Sequence, residues 1–293
     1  MTALLVDASN VIVRSLRAME RTGLSADGVP TGALHNFVLT VARHICEEQP
    51  THVAVCWDGG RSVKRVALDP GYKAHRLTQP EFEEVKDDTF ALAREFCTLA
   101  GIFHVGRAGY EADDLIAHYW RQHRPLDDKL VILSNDKDFL QLLIDDNVEQ
   151  VRLSSANTPT DRWTAERVRA DMGCDPRQLA AVMALMGDAS DGVPGVRGMG
   201  PKTAVKRLAQ WRWNLHEALT LDERLSPHKE RVLTNLRLVD LRQLDSALHL
   251  PPLPEFRPTA PGSALYGELL SYLSRYRMVT IKDRLIAGTL WSR

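Results

Sequence analysis

Cysteine is scarce in this 293-residue chain, which has only Cys46, Cys56, Cys97 and Cys174. None of them forms a C-x-x-C pair, and no histidine stands at zinc-like spacing from one, so we expect no zinc site. Four scattered cysteines are typical of small buried side chains in a reducing compartment. We therefore expect a cytoplasmic protein without disulfides.

Long hydrophobic runs are also lacking. No apolar stretch approaches ~20 residues, so we expect no membrane-spanning helix. Asp7 interrupts the first apolar stretch, which argues against a signal peptide. The 10 histidines are scattered and give no support to a Ser/His/Asp hydrolase. What remains is a globular chain, 44% hydrophobic, that is long enough for one large or two smaller domains.

An excess of either charge is absent as well, because the formal net charge is −1. The acids are nevertheless unevenly placed, and nine of them fall into five short clusters. These nine, which we call the carboxylate centre, are Asp7, Asp58, Glu111, Asp113, Asp114, Asp136, Asp138, Asp188 and Asp191. Without them the net charge would be +8, as expected for a chain that docks a polyanion around an acidic core.

The first half of the chain alternates short apolar runs with helical periodicity. The segments LLVD, HVAVCWD and KLVILSND predict strands that end at or near Asp7, Asp58 and Asp136, and residues 32–48 and 90–99 predict helices. This β–α–β alternation predicts an α/β fold with a mostly parallel central sheet flanked by helices. Ligands bind at the carboxyl ends of such strands, so the acids are expected to meet there.

Many carboxylates in one cleft repel one another unless cations neutralise them. Ligation by carboxylates alone suits Mg²⁺, or Mn²⁺, which keep several waters and bind phosphate oxygens. We therefore predict metal-dependent chemistry on a phosphodiester. Each cluster alone is equally compatible with a helix N-cap or a turn, and only their conjunction favours a metal centre.

The second half of the chain predicts short helices, including residues 179–186, 203–209 and 264–276. Between the first two, the segment GVRGMGPKTA has the form of a helix–hairpin–helix, whose glycines and helix N-terminus suit a phosphate. An ordinary glycine-rich turn is the alternative. We predict an α/β domain over residues 1–163 and a helical domain over 164–293 that returns to it, with a proline-rich segment at 251–261.

A basic stretch runs from Arg61 to Arg76 and precedes a predicted capping box at residues 78–81. It contains Arg61, Lys64, Arg65, Lys73 and Arg76 against the single acid Asp69. One interpretation is a mobile basic clamp, or arch, over the metal site at about residues 61–95. The other is a solvated charged face.

These motifs resemble those of the 5′-nuclease, or flap endonuclease, family in its bacterial and phage branch. The similar segments are VDASN, GYK-x-x-R, GYEADD, SNDKDF, MGD-x-SDGVPGV and G-x-GPKTA, and the resemblance covers residues 1–290. It implies a PIN-like 5′-nuclease core followed by a helical domain with a helix–hairpin–helix. It also implies a monomeric enzyme that cleaves branched, flapped or nicked DNA with Mg²⁺.

The resemblance assigns roles to residues one by one. All nine acids of the carboxylate centre match metal-ligand positions, and Lys73 and Arg76 match basic residues that contact the scissile phosphate. The DNA-contacting positions are Asn10, Arg14, Gly198, Gly200, Lys202 and Thr203. A K⁺ ion is expected on the backbone carbonyls of Leu185, Met186, Pro194, Val196 and Met199.

We therefore predict a structure-specific 5′ nuclease with 5′-3′ exonuclease and flap endonuclease activity near junctions of single- and double-stranded DNA. The alternative from another class is a catalytically idle DNA-junction binding protein, against which the complete acid set argues. A single-strand RNA nuclease with a related acidic site is a further alternative, but such enzymes usually lack the hairpin domain.

Overall fold

The computed structural model describes residues 1–19, 25–26, 29–75, 80–153, 160–243 and 245–292. The strands are β1 Thr2–Asp7, β2 Ser25–Ala26, β3 Val29–Pro30, β4 His52–Trp57, β5 Phe103–Gly106, β6 Lys129–Leu133, β7 Val148–Arg152 and β8 Asp161–Trp163. The α-helices are α1 Ala8–Met19, α2 Gly32–Glu48, α3 Val63–Leu68, α4 Pro80–Leu99, α5 Ala112–His123, α6 Ala165–Met172, α7 Leu179–Met186, α8 Pro201–Gln210, α9 Leu215–Leu221, α10 Lys229–Val239, α11 Ala264–Arg275 and α12 Val279–Ile286.

Six strands form one sheet in the order β5-β4-β1-β6-β7-β8. All neighbouring pairs are parallel except β7 and β8, which run antiparallel. The central strand β1 therefore lies between β4 and β6, and the carboxyl ends of these three strands meet at one edge. This confirms the predicted α/β class and the mostly parallel sheet.

Both faces of the sheet are buried, as expected for parallel strands covered by helices. Because side chains alternate along a strand, Leu4 and Val6 of β1 belong to one core and Ala3 and Leu5 to the other. The first core includes residues of α1, α2, α4 and the C-terminal helices α11 and α12. The second includes residues of α5 and of the helical region from α7 to α10.

The predicted helix bounds agree closely with the structure in two cases. Residues 32–48 and 179–186 form α2 and α7 with the predicted ends. The helix α8 begins earlier than predicted, at Pro201, because proline is favourable in the first turn. The helix α4 begins ten residues before Phe90 because its first half is mostly charged and hides the apolar periodicity.

Two further expectations concern cysteine and membranes. All four cysteines are free and buried, as predicted. Among the described residues, no helix has the length and apolar character needed to cross a membrane. The capping box predicted at residues 78–81 involves positions outside the described residues.

Candidate active site and hairpin

The carboxyl ends of three adjacent strands bring the first acids together. Asp7 ends β1 and is 7% exposed, and its Oδ2 accepts a 2.8 Å hydrogen bond from Ser134 Oγ, just after β6. Asp58 follows β4, on the other side of β1. Burial, followed by the charge of Asp58, raises the pKa of Asp7 to about 8. Within the described residues, no cation lies close enough to Asp7 to offset this rise.

Three acids open the helix α5. The Glu111 N–H donates to Asp114 Oδ2 at 3.0 Å, and the Ala112 N–H donates to Asp58 Oδ1 at 2.7 Å. Both bonds satisfy N–H groups that have no partner within the first turn of a helix. The sequence alone leaves helix capping and membership of the carboxylate centre as alternatives. In the structure, Asp58 and Asp114 do both.

Arg65 of α3 lies in the middle of these acids and is only 6% exposed. Its Nη1 is 2.7 Å from Glu111 Oε2. Its Nη2 is 3.1 Å from Asp113 Oδ2 and 2.9 Å from Asp114 Oδ1. The Arg65 Nε donates to the Leu238 carbonyl of α10 at 3.1 Å. Such charge-assisted bonds make Arg65 a fixed internal counter-ion rather than part of a mobile clamp.

The loop after α3 contributes a second cation to the same acids. Lys73 Nζ is 2.8 Å from Glu111 Oε2, and the Tyr72 hydroxyl donates to that same oxygen at 2.8 Å. The Lys73 backbone has a φ of +54°, which is unfavourable for a residue with a side chain, and its N–H donates to the Asp191 carbonyl at 2.8 Å. Lys73 is thus held between two acidic segments.

We call Glu111, Asp113 and Asp114 the compensated group because Arg65 and Lys73 contact them. Burial favours a higher pKa for Asp113, but Arg65 and Lys73 outweigh it, so the pKa lies below its ordinary value. For Asp114, burial and then the charge of Asp113 raise the pKa to about 7. The two cations therefore come close to balancing the three acids but do not exceed them.

We call Asp136 and Asp138 the uncompensated pair. The Asp138 N–H donates to Asp136 Oδ1 at 2.9 Å, while Asp138 Oδ1 is buried with no hydrogen-bond partner among the described residues. Burial, and then the charge of Asp136, raises the pKa of Asp138 well above its ordinary value. The intervening Lys137 points its Nζ to Asp188 Oδ2 at 3.0 Å. A buried carboxylate oxygen without a partner is costly unless a cation binds it.

The segment between α7 and α8 forms the hairpin predicted from the sequence. Asp188 and Val193 exchange two backbone hydrogen bonds of 2.8 Å, and the Gly200 N-cap leads into α8 through Pro201. Gly198 has a φ of +78°, and neither Gly198 nor Gly200 has an atom within 4 Å of where a Cβ would lie. Lys202 and Thr203 are exposed at the start of α8. The backbone at this end is open to a ligand.

Three of the five carbonyls predicted to bind K⁺ accept hydrogen bonds inside the protein. The Leu185 oxygen accepts from the Val196 N–H at 2.8 Å, and the Val196 oxygen accepts from the Met199 N–H at 3.0 Å. The Pro194 oxygen accepts from Asn235 Nδ2 at 2.9 Å. Each carbonyl oxygen has a second lone pair, so K⁺ binding stays a prediction.

Comparison with known proteins identifies the family. Residues 2–173 match the family described as 5′-3′ exonuclease, N-terminal resolvase-like domain, and residues 174–252 match 5′-3′ exonuclease, C-terminal SAM fold. The chain belongs to the 5′-3′ exonuclease family. A 5′-3′ exonuclease of Bacillus subtilis is 36% identical over 211 residues, which cover 71% of this chain and 70% of that protein.

Two further similar proteins differ more from this chain, one in length and one in sequence. DNA polymerase I of Mycobacterium bovis is 32% identical over 267 residues, covering 86% of this chain but only 29% of the polymerase. The bacteriophage T5 D15 flap endonuclease, solved with DNA and metal ions, is 19% identical with a TM-score of 0.70. That alignment covers 99% of this chain and 98% of the phage protein. The predicted family resemblance and fold are confirmed.

The acids of this 5′-3′ exonuclease fit a hard divalent cation by donor type. The buried Asp138 oxygen without a partner and the raised pKa of Asp7 both indicate missing positive charge. Within the described residues, however, no three His, Cys, Asp or Glu side chains are arranged to hold one metal ion. Arg65, Lys73 and Lys137 form ion pairs with Asp113, Glu111 and Asp188, so oxygens of these three acids are already engaged by internal cations.

Sequence reasoning missed several residues of the 5′-3′ exonuclease centre. The burial of Arg65 and the contacts of Tyr72, Ser134 and Lys137 with the acids come from the structure alone. Tyr72 precedes Lys73 in the GYK motif, and this position is the one signal in the sequence that could have pointed to its contact with the acids. Nothing in the sequence separates Arg65 from the other basic residues of its stretch.

Three more residues predicted to contact DNA are Asn10, Arg14 and Arg76. Asn10 accepts a 3.0 Å hydrogen bond from the Asn135 N–H, which ties α1 to the loop after β6. Arg14 lies one turn further along α1 and lines a cavity described below. Arg76 lies outside the described residues, and its role stays a prediction.

Proposed function

We propose that this structure-specific 5′ nuclease hydrolyses DNA phosphodiesters at junctions with the help of divalent metal ions, Mg²⁺ or Mn²⁺, held by the carboxylate centre. The observation that carries the proposal is the buried Asp138 oxygen without a partner, beside other acids at the carboxyl edge of the sheet. Oxygen donors alone favour Mg²⁺ or Mn²⁺ over softer metals.

Bound metal ions would supply Lewis-acid activation of the phosphate and of the attacking water. The residues that would hold them are those of the uncompensated pair, together with Asp7, Asp58, Asp188, Asp191 and the compensated group. The chain itself places Lys73 Nζ at the edge of this centre, 3.8 Å from Asp191 Oδ2. A cation there can stabilise charge that develops on a phosphate oxygen. Arg76 would share this role.

The hairpin is proposed to hold the duplex next to the cleaved strand. The open backbone at Gly198 and Gly200 and the exposed Lys202 suit a phosphate and carry no base information. Thr203 and Asn10 would add contacts, and the carbonyls of Leu185, Met186, Pro194, Val196 and Met199 would hold K⁺. The DNA bound to the T5 D15 flap endonuclease supports a flapped or branched DNA substrate.

The alternative of an idle DNA-junction binding protein is disfavoured by the energetics of the centre. All nine acids are present, and Asp7 and Asp138 are held where their negative charge is unfavourable. A protein that only bound DNA would gain nothing from this arrangement, since the acids also repel phosphate.

The proposal is tested by cleavage of an end-labelled 5′-flap duplex with Mg²⁺ and with EDTA. We expect cleavage near the junction in Mg²⁺ alone, leaving a 5′-phosphate and a 3′-hydroxyl. Asp138→Asn should lower the single-turnover rate by about 10³-fold, roughly 4 kcal/mol of barrier, while leaving flap binding in EDTA intact. Cleavage by Asp138→Asn within tenfold of the wild-type rate would reject the assignment.

We also propose that the enzyme acts as a monomer in the cytoplasm and that its two domains divide at residues 163 and 164. The buried free thiols support a reducing compartment such as the cytoplasm. The change from sheet to short helices after β8 supports the domain boundary. Size-exclusion chromatography with light scattering tests the monomer, and limited proteolysis tests the boundary.

A further inference from the structure

A small cavity lies beside the carboxylate centre, between α1, α2 and the end of β7. Its volume is about 70 Å³, close to the liquid volume of two waters, so it admits a phosphate group but not a nucleobase. The residues that matter for its chemistry are Arg14, Ser15, Asn36, Arg43, Arg152 and Thr160. Three of these are arginines, and no lining residue in the described part of the chain carries a carboxylate. The cavity is therefore built for an anion.

Arg152 contributes a cation to this wall. Its Nε is buried and has no hydrogen-bond partner among the described residues. Its guanidinium carbon lies 4.3 Å from the ring centroid of Trp163, and that of Arg167 lies 4.2 Å from the same centroid. The aromatic ring fixes the plane of the Arg152 guanidinium without accepting its N–H groups. Arg152 therefore lines the cavity as a cation whose plane is held by the Trp163 ring.

Arg43 is positioned by its neighbours on the opposite wall. Its Nε lies 2.7 Å from Glu47 Oε1, one turn along α2, and its Nη2 donates to Thr160 Oγ1 at 3.3 Å. The ion pair with Glu47 uses the Nε edge of the guanidinium and leaves donors on the Nη edge. Asn36 Nδ2 donates to Ser15 Oγ at 2.6 Å, which links α2 to α1 at the cavity wall.

The cavity lies close to the reacting groups. Arg152 ends β7, whose carboxyl end is at the same edge of the sheet as Asp7 and Asp136. Arg14 follows Asp7 by two turns of α1, which corresponds to roughly 10 Å along the helix. That distance equals about three nucleotides of rise along one strand.

We propose that this cavity is a second phosphate site, which binds a backbone phosphate of the DNA a few nucleotides from the scissile bond. Arg43 and Arg152 would clamp the phosphate together with Arg14. The proposal rests on the proposed nuclease function and adds a fixed contact that sets where the strand lies relative to the acids.

The test compares Arg43→Gln and Arg152→Gln with Arg257→Gln, a control on the surface whose side chain is 82% exposed. Flap DNA binding is measured in EDTA over a range of salt concentrations. Each cavity variant should raise Kd about tenfold and lower the slope of log Kd against log salt by about one unit. The control should match the wild type. Cavity variants that match the control would overturn the proposal.

Single neutral methylphosphonates placed along the flap substrate then locate the phosphate. One position should weaken wild-type binding more than it weakens the binding of Arg43→Gln or Arg152→Gln, because each variant has already lost one of the cations that contact that phosphate. Arg43→Gln leaves the stacking of Arg152 on Trp163 intact, so it covers the case in which Arg152→Gln folds poorly. If every position weakens variants and wild type equally, no such site exists.

Wild-type cleavage in Mg²⁺, measured in parallel, separates this proposal from the nuclease assignment. Cleavage by the wild type, with cavity variants that bind like the control, would reject the phosphate site and leave the nuclease function standing. A selective loss of binding without any wild-type cleavage would support the site and reject the nuclease.

Discussion

The compensated group and the uncompensated pair lie in the same centre but have opposite electrostatic environments. Glu111, Asp113 and Asp114 surround the buried Arg65. Within the part of the chain that the structure describes, Asp136 and Asp138 have no such ion pair, and the cation between them in sequence, Lys137, pairs with Asp188. Among the described residues, cations thus pair directly with one part of the centre and act on the other only through longer-range charge interactions. The part without direct ion pairs is where an external cation gains most on binding.

We expect the largest change in stability when Arg65, the internal counter-ion of the compensated group, is removed. Arg65→Gln leaves the buried Glu111 and the partly buried Asp113 and Asp114 without their main partner, so we expect a loss of about 3–5 kcal/mol in the free energy of unfolding in EDTA. Mg²⁺ should recover more stability in this variant than in the wild type. Urea denaturation with and without Mg²⁺ measures both.

The matched control is Lys137→Gln, which removes a cation whose side chain is 50% exposed. An ion pair this open to solvent should contribute only about 0–1 kcal/mol. Equal losses of unfolding free energy for Arg65→Gln and Lys137→Gln would show that the two parts of the centre do not differ in electrostatic environment.

Asparagine substitutions should change stability in opposite directions in the two parts. Asp113→Asn breaks an ion pair with Arg65, so we expect a loss of about 1–3 kcal/mol in EDTA. Asp138→Asn removes a repelled charge and should stabilise the metal-free protein by about 0.5–2 kcal/mol. Thermal and urea denaturation of both variants in EDTA give the two signs, and a shared sign would contradict the division.

The main outline of this centre could be predicted from the sequence. Asp7 and Asp58 end apolar strand patterns, and the carboxyl ends of neighbouring parallel strands necessarily meet at one edge. Likewise, residues 179–186 and the glycine-rich segment after them predicted the hairpin, because glycines permit positive-φ turns and Pro201 fixes φ at the start of α8.

The internal compensation could not be predicted, because it depends on contacts between distant segments. Arg65 belongs to a strongly basic stretch, where a charged residue is expected to face solvent. Its burial results from three acids at the start of α5, Glu111 at the N-cap and Asp113 and Asp114 in the first turn, and from the Leu238 carbonyl on α10, far away in the chain. No periodicity in residues 61–76 carries that information.

The variant Lys73→Ala tests whether a cation that contacts the compensated group also takes part in the reaction. If its charge stabilises the phosphate as negative charge develops, Lys73→Ala should lower the single-turnover rate about tenfold to a hundredfold, with little change in Kd. Lys64→Ala, an exposed cation of the same stretch, is the control and should leave the rate unchanged. An unaltered rate for bound DNA in Lys73→Ala would limit Lys73 to attracting the substrate.

Lys202 is expected to give the smallest effect, because it stands apart from both parts of the centre. Unlike Arg65, it is exposed, and it lies at the start of α8 beside the open backbone of Gly200. Lys202→Ala should weaken duplex binding by a few-fold at every sequence tested and lower the salt slope by about one unit. The single-turnover rate of saturated enzyme should not change, since Lys202 is not among the groups of the carboxylate centre. Lys282→Ala on α12 is the control for loss of one positive charge, and a slope equal to that control would show that the hairpin lysine does not contact phosphate.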